Sequence, residues 1–238
     1  MARQASSRRA GTSGHSPAAQ MYDVAIAGGG YVGLCTAVAI RAAAPSLSVC
    51  VVDPQPRDAI EMDVRASAIA AAATRMLERL GLWDELSGDA QPINEMIVTD
   101  SRLGDVTRPV FLTFADDATG EEQPFAHMLP NRSLVKALRR RAEEVGVELV
   151  QDQVDGFSIE PAGVEIRLGK GRISARLLVA ADGVRSKLRE QAGIRTVHWP
   201  YDQMGIVVTV AHERPHEGRA EEHFLPAGPF AILPLKGN

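Results

Sequence analysis

Residues 22–53 hold the pattern that most restricts this chain. Tyr22 to Ala27 is a short apolar run that flows directly into Gly28-Gly29-Gly30-Tyr31-Val32-Gly33. From Val32 to Ala44 the residues are small and mostly apolar and stop before Pro45, and a second apolar run, Ser48 to Asp53, ends in a carboxylate. A buried strand, a glycine turn, a helix and a second strand make a βαβ unit, because parallel strands need a crossover and a helix supplies it. The glycines fit G-x-G-x-x-G in the strand-to-helix context that receives a dinucleotide. Gly28 permits the tight turn out of the strand, Gly30 lets backbone approach a diphosphate with no Cβ in the way, and Gly33 lets the helix pack close to the sheet. Val32 belongs to the first helical turn, whose unpaired N–H groups and positive dipole end favour an anion. Asp53, twenty residues past Gly33, stands where a carboxylate can accept hydrogen bonds from both ribose hydroxyls. The unit predicts dinucleotide binding and suits NAD and FAD alike.

Composition narrows the class further. With 238 residues, 45% of them apolar, the chain is long enough for one or two domains with a core of their own. The 26 basic residues are outnumbered by 30 acidic ones, which argues against a general nucleic-acid binder. No apolar run approaches the roughly 20 residues of a membrane-spanning helix. Cys35 and Cys50 sit in apolar segments without metal-ligand spacing, which reads as buried thiols in a reducing compartment, the cytoplasm. Residues 1–20 carry Arg3, Arg8 and Arg9 and no acid; they read as a disordered tail or, alternatively, an organelle transit peptide, which would place the protein in the mitochondrial matrix.

Beyond Asp53 the order of elements changes. Pro54 to Asp63 reads as a loop. A helix is expected to run on from Ile69, with Ile69, Ala73, Met76, Leu77 and Leu80 on one face and Gly81 as its cap. Three strand-like stretches, Ile93–Thr99, Thr107–Phe114 and Phe125–Leu129, follow with no helix between them, which predicts an inserted antiparallel sheet. Asn131 opens a helix with Leu134, Leu138, Ala142 and Val145 on one face. Its Arg139-Arg140-Arg141 run reads as a solvated face balanced by Glu143 and Glu144. Strands are expected at Val147–Val150, Gly156–Ile159, Val164–Leu168, Ala175–Ala180 and Gly205–Val210. His212, His216 and His223 read as part of a polar hairpin rather than a metal cluster, because Pro215 interrupts their spacing and no cysteine accompanies them.

The strand Ala175–Ala180 ends in Ala181-Asp182-Gly183-Val184-Arg185-Ser186, and together with the glycine fingerprint this segment resembles class A flavoprotein monooxygenases of the para-hydroxybenzoate hydroxylase-like group. Tyr201-Asp-Gln203 and Phe224-Leu-Pro-Ala-Gly-Pro-Phe-Ala-Ile-Leu-Pro-Leu235 are similar to the ubiquinone-biosynthesis hydroxylases of that group. The resemblance implies an α/β fold: a Rossmann-like FAD-binding domain over residues 21–195, strands inserted at about 92–129, and an incomplete antiparallel substrate-domain sheet over 196–238. It implies FAD and NAD(P)H as cofactors and, with O₂, hydroxylation of a prenylated phenol or quinone precursor. Contact with a membrane surface, peripheral to the inner membrane, or with a biosynthetic complex would follow. It places Asp182 and Gly183 near the flavin diphosphate, brings Arg65 of the Arg65-Ala-Ser-Ala-Ile69 segment toward the flavin, and makes Asn131 a polar flavin contact. No catalytic side chain stands out, as expected where the cofactor carries the chemistry. The group's third motif, Gly-Asp or Gly-Asn before Ala-Ala-His, does not occur, so the chain reads as the N-terminal portion of a longer enzyme. A non-catalytic scaffold of the same pathway and an NAD-dependent dehydrogenase are the alternatives.

Overall fold

A computed structural model of the protein describes residues 20–56, 58–102, 104–115 and 124–237; the Arg-containing leader lies outside them. The strands are β1 (Met21–Ala27), β2 (Val49–Asp53), β3 (Ala66–Ala70), β4 (Gln91–Ile93), β5 (Glu95–Asp100), β6 (Val110–Ala115), β7 (Ala126–Pro130), β8 (Glu148–Gln151), β9 (Val154–Glu160), β10 (Gly163–Leu168), β11 (Gly171–Ala180), β12 (Arg219–Leu225) and β13 (Gly228–Ile232). The helices are α1 (Tyr31–Ala43), α2 (Ala71–Arg79), α3 (Trp83–Leu86), α4 (Asn131–Glu144) and α5 (Lys187–Gln191), with one 3₁₀ turn at Ala59–Met62.

The central sheet runs β8-β2-β1-β11-β10-β9. β1 pairs in parallel with both β2 and β11, and β2 in parallel with β8, while β9 and β10 continue from β11 as an antiparallel ribbon. β1 is covered on both faces, which is why it reads as a continuous apolar run rather than an alternating one. Val24 and Ile26 of β1 and Val49 and Val51 of β2 pack with Leu34 and Val38 of α1 and Leu134 and Leu138 of α4. Ala25, Cys50 and Val52 join a second cluster with Ile166, Ile173 and Ala175. The chain runs from β1 outward to β2 and returns on the other side as β11, so the strand order reverses at β1. In open α/β sheets the crevice beyond the carboxyl ends of the strands at such a point receives ligands.

Two smaller sheets complete the fold: β3-β7-β4, antiparallel, and β13-β12-β5-β6, in which β12 pairs in parallel with β5 and the other neighbours are antiparallel. The expected mixture of a parallel nucleotide-type sheet and mainly antiparallel strands is therefore present. Several expectations need correction. The expected single strand Ile93–Thr99 is two strands in different sheets, divided at Asn94, whose N–H donates to Gly218 O at 2.9 Å. Ile69 does not begin a helix: it lies on β3, paired with His127, and α2 starts two residues later. Residues 205–210 form no strand, and Ile206, Val207 and Val208 are exposed. Cys35 is only partly buried, whereas burial pushes the Cys50 thiol up to about 12. Among the described residues no helix is long and apolar enough to cross a membrane.

Candidate functional site

The glycine turn divides into positions the protein itself requires and one it does not. Gly28 ends β1 at φ +110°, and a Cβ there would overlap the carbonyl oxygen of Ala181, which follows β11. A Cβ on Gly33 would overlap Gly28 O, and one on Gly29 would lie 2.8 Å from the Asp53 Cβ. Gly30 is different. Its backbone is extended at φ −73° and ψ 176°, a conformation open to any residue, and a Cβ there would meet no heavy atom within 4 Å. Among the described residues nothing demands glycine at this position. It is the N-cap of α1, with no side-chain cap and no acid in the first turn, so the N–H groups of Tyr31, Val32 and Gly33 lack the partners a helix interior would give them. The Val32 side chain is exposed beside them.

Asp53 is fixed by backbone donors. Its Oδ2 accepts from Gly29 N–H at 2.6 Å and its Oδ1 from Gln55 N–H at 2.8 Å. The carboxylate thus lies against the glycine turn at the end of β2, oriented by two backbone N–H groups. Gly29, Gly30 and Asp53 line one side of an open cleft of about 450 Å³ whose other walls include Ile60, Met62, Asp63, Arg65, Val135 and Arg139.

Arg65 is on this cleft and its guanidinium forks onto Asp63, with Nε and Nη2 each 2.8 Å from a carboxylate oxygen. That fork holds the Asp63 carboxyl down at about 2 despite the opposing effect of burial. Asn131 opens α4 and is buried. Its N–H donates to Arg65 O at 2.9 Å and its Oδ1 accepts from the Ser67 hydroxyl at 2.7 Å. Its Nδ2 reaches Asp63 Oδ2 at 3.5 Å. Arg65 and Asn131, 66 residues apart, are therefore one cluster organised by Asp63, a residue the sequence reading passed over. The Asp-x-Arg spacing, which lets a carboxylate and a guanidinium meet locally, was the available signal.

Asp182 and Gly183 stand at the end of β11, next to the end of β1, where Ala181 N–H donates to Ala27 O at 2.8 Å. Gly183 takes φ +91°. The Asp182 carboxylate turns toward α5: its Oδ1 accepts from the Ser186 hydroxyl at 2.6 Å and its Oδ2 from Leu188 N–H at 3.5 Å. Ser186 in turn caps α5 by accepting from Arg189 N–H at 3.0 Å. The structure thus gathers Gly30, Asp53 and Arg65 on one cleft and sets Asn131 against its Asp63 wall. Gly28 and Gly33 serve as the packing behind the turn. Asp182 and Gly183 form the neighbouring turn, with the Asp182 side chain engaged locally.

The Arg139-Arg140-Arg141 run of α4 forms the expected glutamate-balanced face only in part. Arg140 pairs with Glu85 and Glu144, and Arg141 with Glu144 and the Leu80 carbonyl. Arg139 instead lines the cleft, with a buried Nε that has no hydrogen-bond partner among the described residues. The histidines also separate. His223 is buried between the Thr99 and Ser101 hydroxyls, whereas His216 accepts from Gly218 N–H at 2.9 Å. Among the described residues no group of three metal-ligating side chains converges.

A family model described as an FAD binding domain matches residues 21–236. This chain belongs to that family. The FAD-binding chain is 43% identical over 223 residues to the ubiquinone hydroxylase UbiL of Rhodospirillum rubrum, covering 91% of this chain and 50% of that protein. It is 30% identical over 252 residues to the mitochondrial ubiquinone biosynthesis monooxygenase COQ6 of Mus musculus, covering 97% of this chain and 50% of that protein. Its fold matches 2-methyl-3-hydroxypyridine-5-carboxylic acid oxygenase with a TM-score of 0.64 at 19% identity, over 90% of this chain and 55% of that one. The chain spans about half the length of the curated relatives it matches. These likenesses agree with the cofactor class and the fold read from the residues.

Proposed function

We propose that this chain forms the FAD-holding part of a flavin-dependent hydroxylase that uses NAD(P)H and O₂ to hydroxylate a prenylated phenol or quinone precursor of ubiquinone biosynthesis. The observation that carries the cofactor placement is Gly30: a glycine with no steric duty toward the protein, at an uncapped helix N-terminus, on a cleft shared with Asp53. A side-chain-free surface of that kind fits a diphosphate that must touch backbone. The names of the relatives, a ubiquinone hydroxylase and a ubiquinone biosynthesis monooxygenase, support the reaction and the substrate class.

In this reading the first turn of α1 binds the diphosphate through backbone N–H groups and the helix dipole. Asp53, already oriented by Gly29 and Gln55, accepts the ribose hydroxyls. The Arg65–Asp63 fork, braced by Asn131, holds another wall of the same cleft, and the Asp182-Gly183 turn closes the neighbouring strand end. Bound FAD supplies the redox chemistry that inserts one oxygen atom of O₂ into an aromatic ring at the expense of NAD(P)H. Peripheral contact with a membrane that stores such a prenylated substrate belongs to the same proposal.

Protein prepared from the whole reading frame should be yellow, release stoichiometric FAD on denaturation, and couple NAD(P)H oxidation to a product one oxygen atom heavier than an added prenylated phenol. Colourless protein that binds NAD and not FAD would replace this reading with a dehydrogenase. FAD binding without any oxidation of NADH or NADPH would leave a scaffold.

A further inference from the structure

Arg139 is the one arginine of its run whose buried Nε has no hydrogen-bond partner among the described residues. It lies about two helical turns beyond Asn131 on α4, where Arg140 and Arg141 are engaged by Glu85, Glu144 and the Leu80 carbonyl. The Arg139 side chain turns inward and lines two adjoining hollows. One is the open cleft. The other is a recess of about 30 Å³ between the ends of β2 and β8, formed with Leu34, Val51, Leu149 and Val150. Gly29, Asp53 and Gln55 border both. Among the described residues no hydrogen bond or ion pair joins Arg139 to Asp53, although they share both sets of walls.

A guanidinium only donates and an ionised carboxylate only accepts. A buried N–H without a partner is costly, so a group that supplies an acceptor there gains more than it would on an open surface. The occupant suited to both residues carries hydroxyl donors for Asp53 and acceptor atoms for Arg139, with a flat body that lies in the open cleft at the mouth of the recess, which at about 30 Å³ admits little more than water. An adenosine has this composition: ribose hydroxyls, ring nitrogens and a planar base.

We propose that Arg139 binds the adenosine half of the cofactor, donating to its acceptor atoms in the cleft it shares with Asp53. This rests on the FAD placement proposed above and adds to it a residue outside the glycine fingerprint. The guanidinium acts as a shaped donor rather than as a charge, so lysine is not a substitute for it.

The test is FAD affinity, followed by flavin fluorescence, for protein from the whole reading frame and for Arg139→Met, Arg139→Lys and Gly30→Val, with ADP as a competitor and thermal unfolding as the check on folding. Arg139→Met should keep its unfolding temperature and bind both FAD and ADP about tenfold or more weakly, a loss of about 1.4 kcal/mol per tenfold. Arg139→Lys should bind as weakly as the methionine variant. If Arg139→Met unfolds, the lysine variant, which keeps the aliphatic stem, decides alone. Unchanged FAD and ADP affinity in the folded Arg139 variants, with Gly30→Val impaired, would overturn the role of Arg139 and leave the cofactor placement standing. Full affinity in Gly30→Val, or no FAD binding by the unaltered protein, would overturn the placement and the Arg139 inference with it.

Discussion

Substituting the fingerprint glycines one at a time separates glycine needed for folding from glycine needed for a ligand. Gly30 has an unstrained extended backbone and open space where a Cβ would go. Gly30→Ala gains about 0.4–1 kcal/mol by restricting the unfolded chain and loses up to about 1 kcal/mol because alanine is a poorer N-cap than glycine. The two nearly cancel, so the unfolding temperature should move by no more than roughly 2–4 °C. Gly28→Ala has no such freedom. It puts a side chain at φ +110° and into the Ala181 carbonyl. About 1–2 kcal/mol for the backbone conformation and about 1–3 kcal/mol for the overlap lower the unfolding temperature by roughly 5–15 °C. Affinity for FAD should follow a different order. Gly30→Val leaves the fold intact and pushes the diphosphate off the first turn of α1. Two charge-assisted hydrogen bonds at about 1.5–3 kcal/mol each correspond to a loss of about two to four orders of magnitude. Paired calorimetric unfolding and flavin titration of Gly28→Ala, Gly30→Ala, Gly30→Val and Gly33→Ala give both orders. A folded Gly30→Val protein with undiminished FAD affinity would refute the reasoning, because the one fingerprint glycine without a steric duty toward the protein would then have no use.

Three further outcomes are expected. Asp53→Ala should weaken FAD binding by about 1–3 kcal/mol, measured in the same titration, while Asp53→Asn, which keeps one acceptor for the Gly29 or Gln55 N–H, should lose less. Asp63 has a folded-state pKa depressed from 3.8 to about 2 by Arg65; its contribution to stability is complete above about pH 4 and is lost as pH falls through about 2. Asp63→Asn should therefore unfold at a lower temperature than the unaltered protein at pH 6, and the gap should close as the pH is lowered from 4 toward 2. Asp182→Asn keeps an acceptor for the Ser186 hydroxyl and should leave unfolding temperature and FAD affinity nearly unchanged. Asp182→Ala should cost about 1 kcal/mol of stability through the weakened start of α5, and a large affinity loss in Asp182→Asn would mean that its charge, rather than the turn it makes, serves the cofactor.

What was legible in the sequence was mostly what neighbouring residues decide. β1, α1 and β2 lie within a residue of their expected limits because a doubly covered strand, a glycine turn and a small-residue helix each leave a local pattern. α4 begins at Asn131 as read, and Gly81 at φ +71° and Gly146 at φ +76° follow α2 and α4. What failed depends on distant partners. Ala66–Ala70 is a strand only because β7 lies beside it, and its small residues fit the start of a helix as well as an edge of a sheet. The break at Asn94 reflects two sheets competing for one stretch, with β12 drawn from more than a hundred residues later. Residues 205–210 have the composition of a strand but no strand beside them among the described residues. Arg139 was misread for a related reason: charge balance along a helix counts its neighbours and cannot see which residue of three points into the cleft.

The two segments that carry the family likeness, some 150 residues apart, meet at one place. Ala181 donates to Ala27 across the ends of β11 and β1, and the missing Cβ of Gly28 faces the Ala181 carbonyl. The turns after β1 and β11 are packed backbone to backbone, and that closeness leaves no room for a side chain on Gly28. A match to the fingerprint alone therefore reports mostly on how the two strands end together, since Gly28, Gly29 and Gly33 all answer to the protein's own atoms. What points to a ligand is what that packing leaves unused: the open face of Gly30, the bare start of α1 and the buried Nε of Arg139. Glycines that pack serve the fold whether or not a cofactor binds, whereas the open face of Gly30 and, among the described residues, the unpartnered Nε of Arg139 lie on one cleft and have no such duty to the fold.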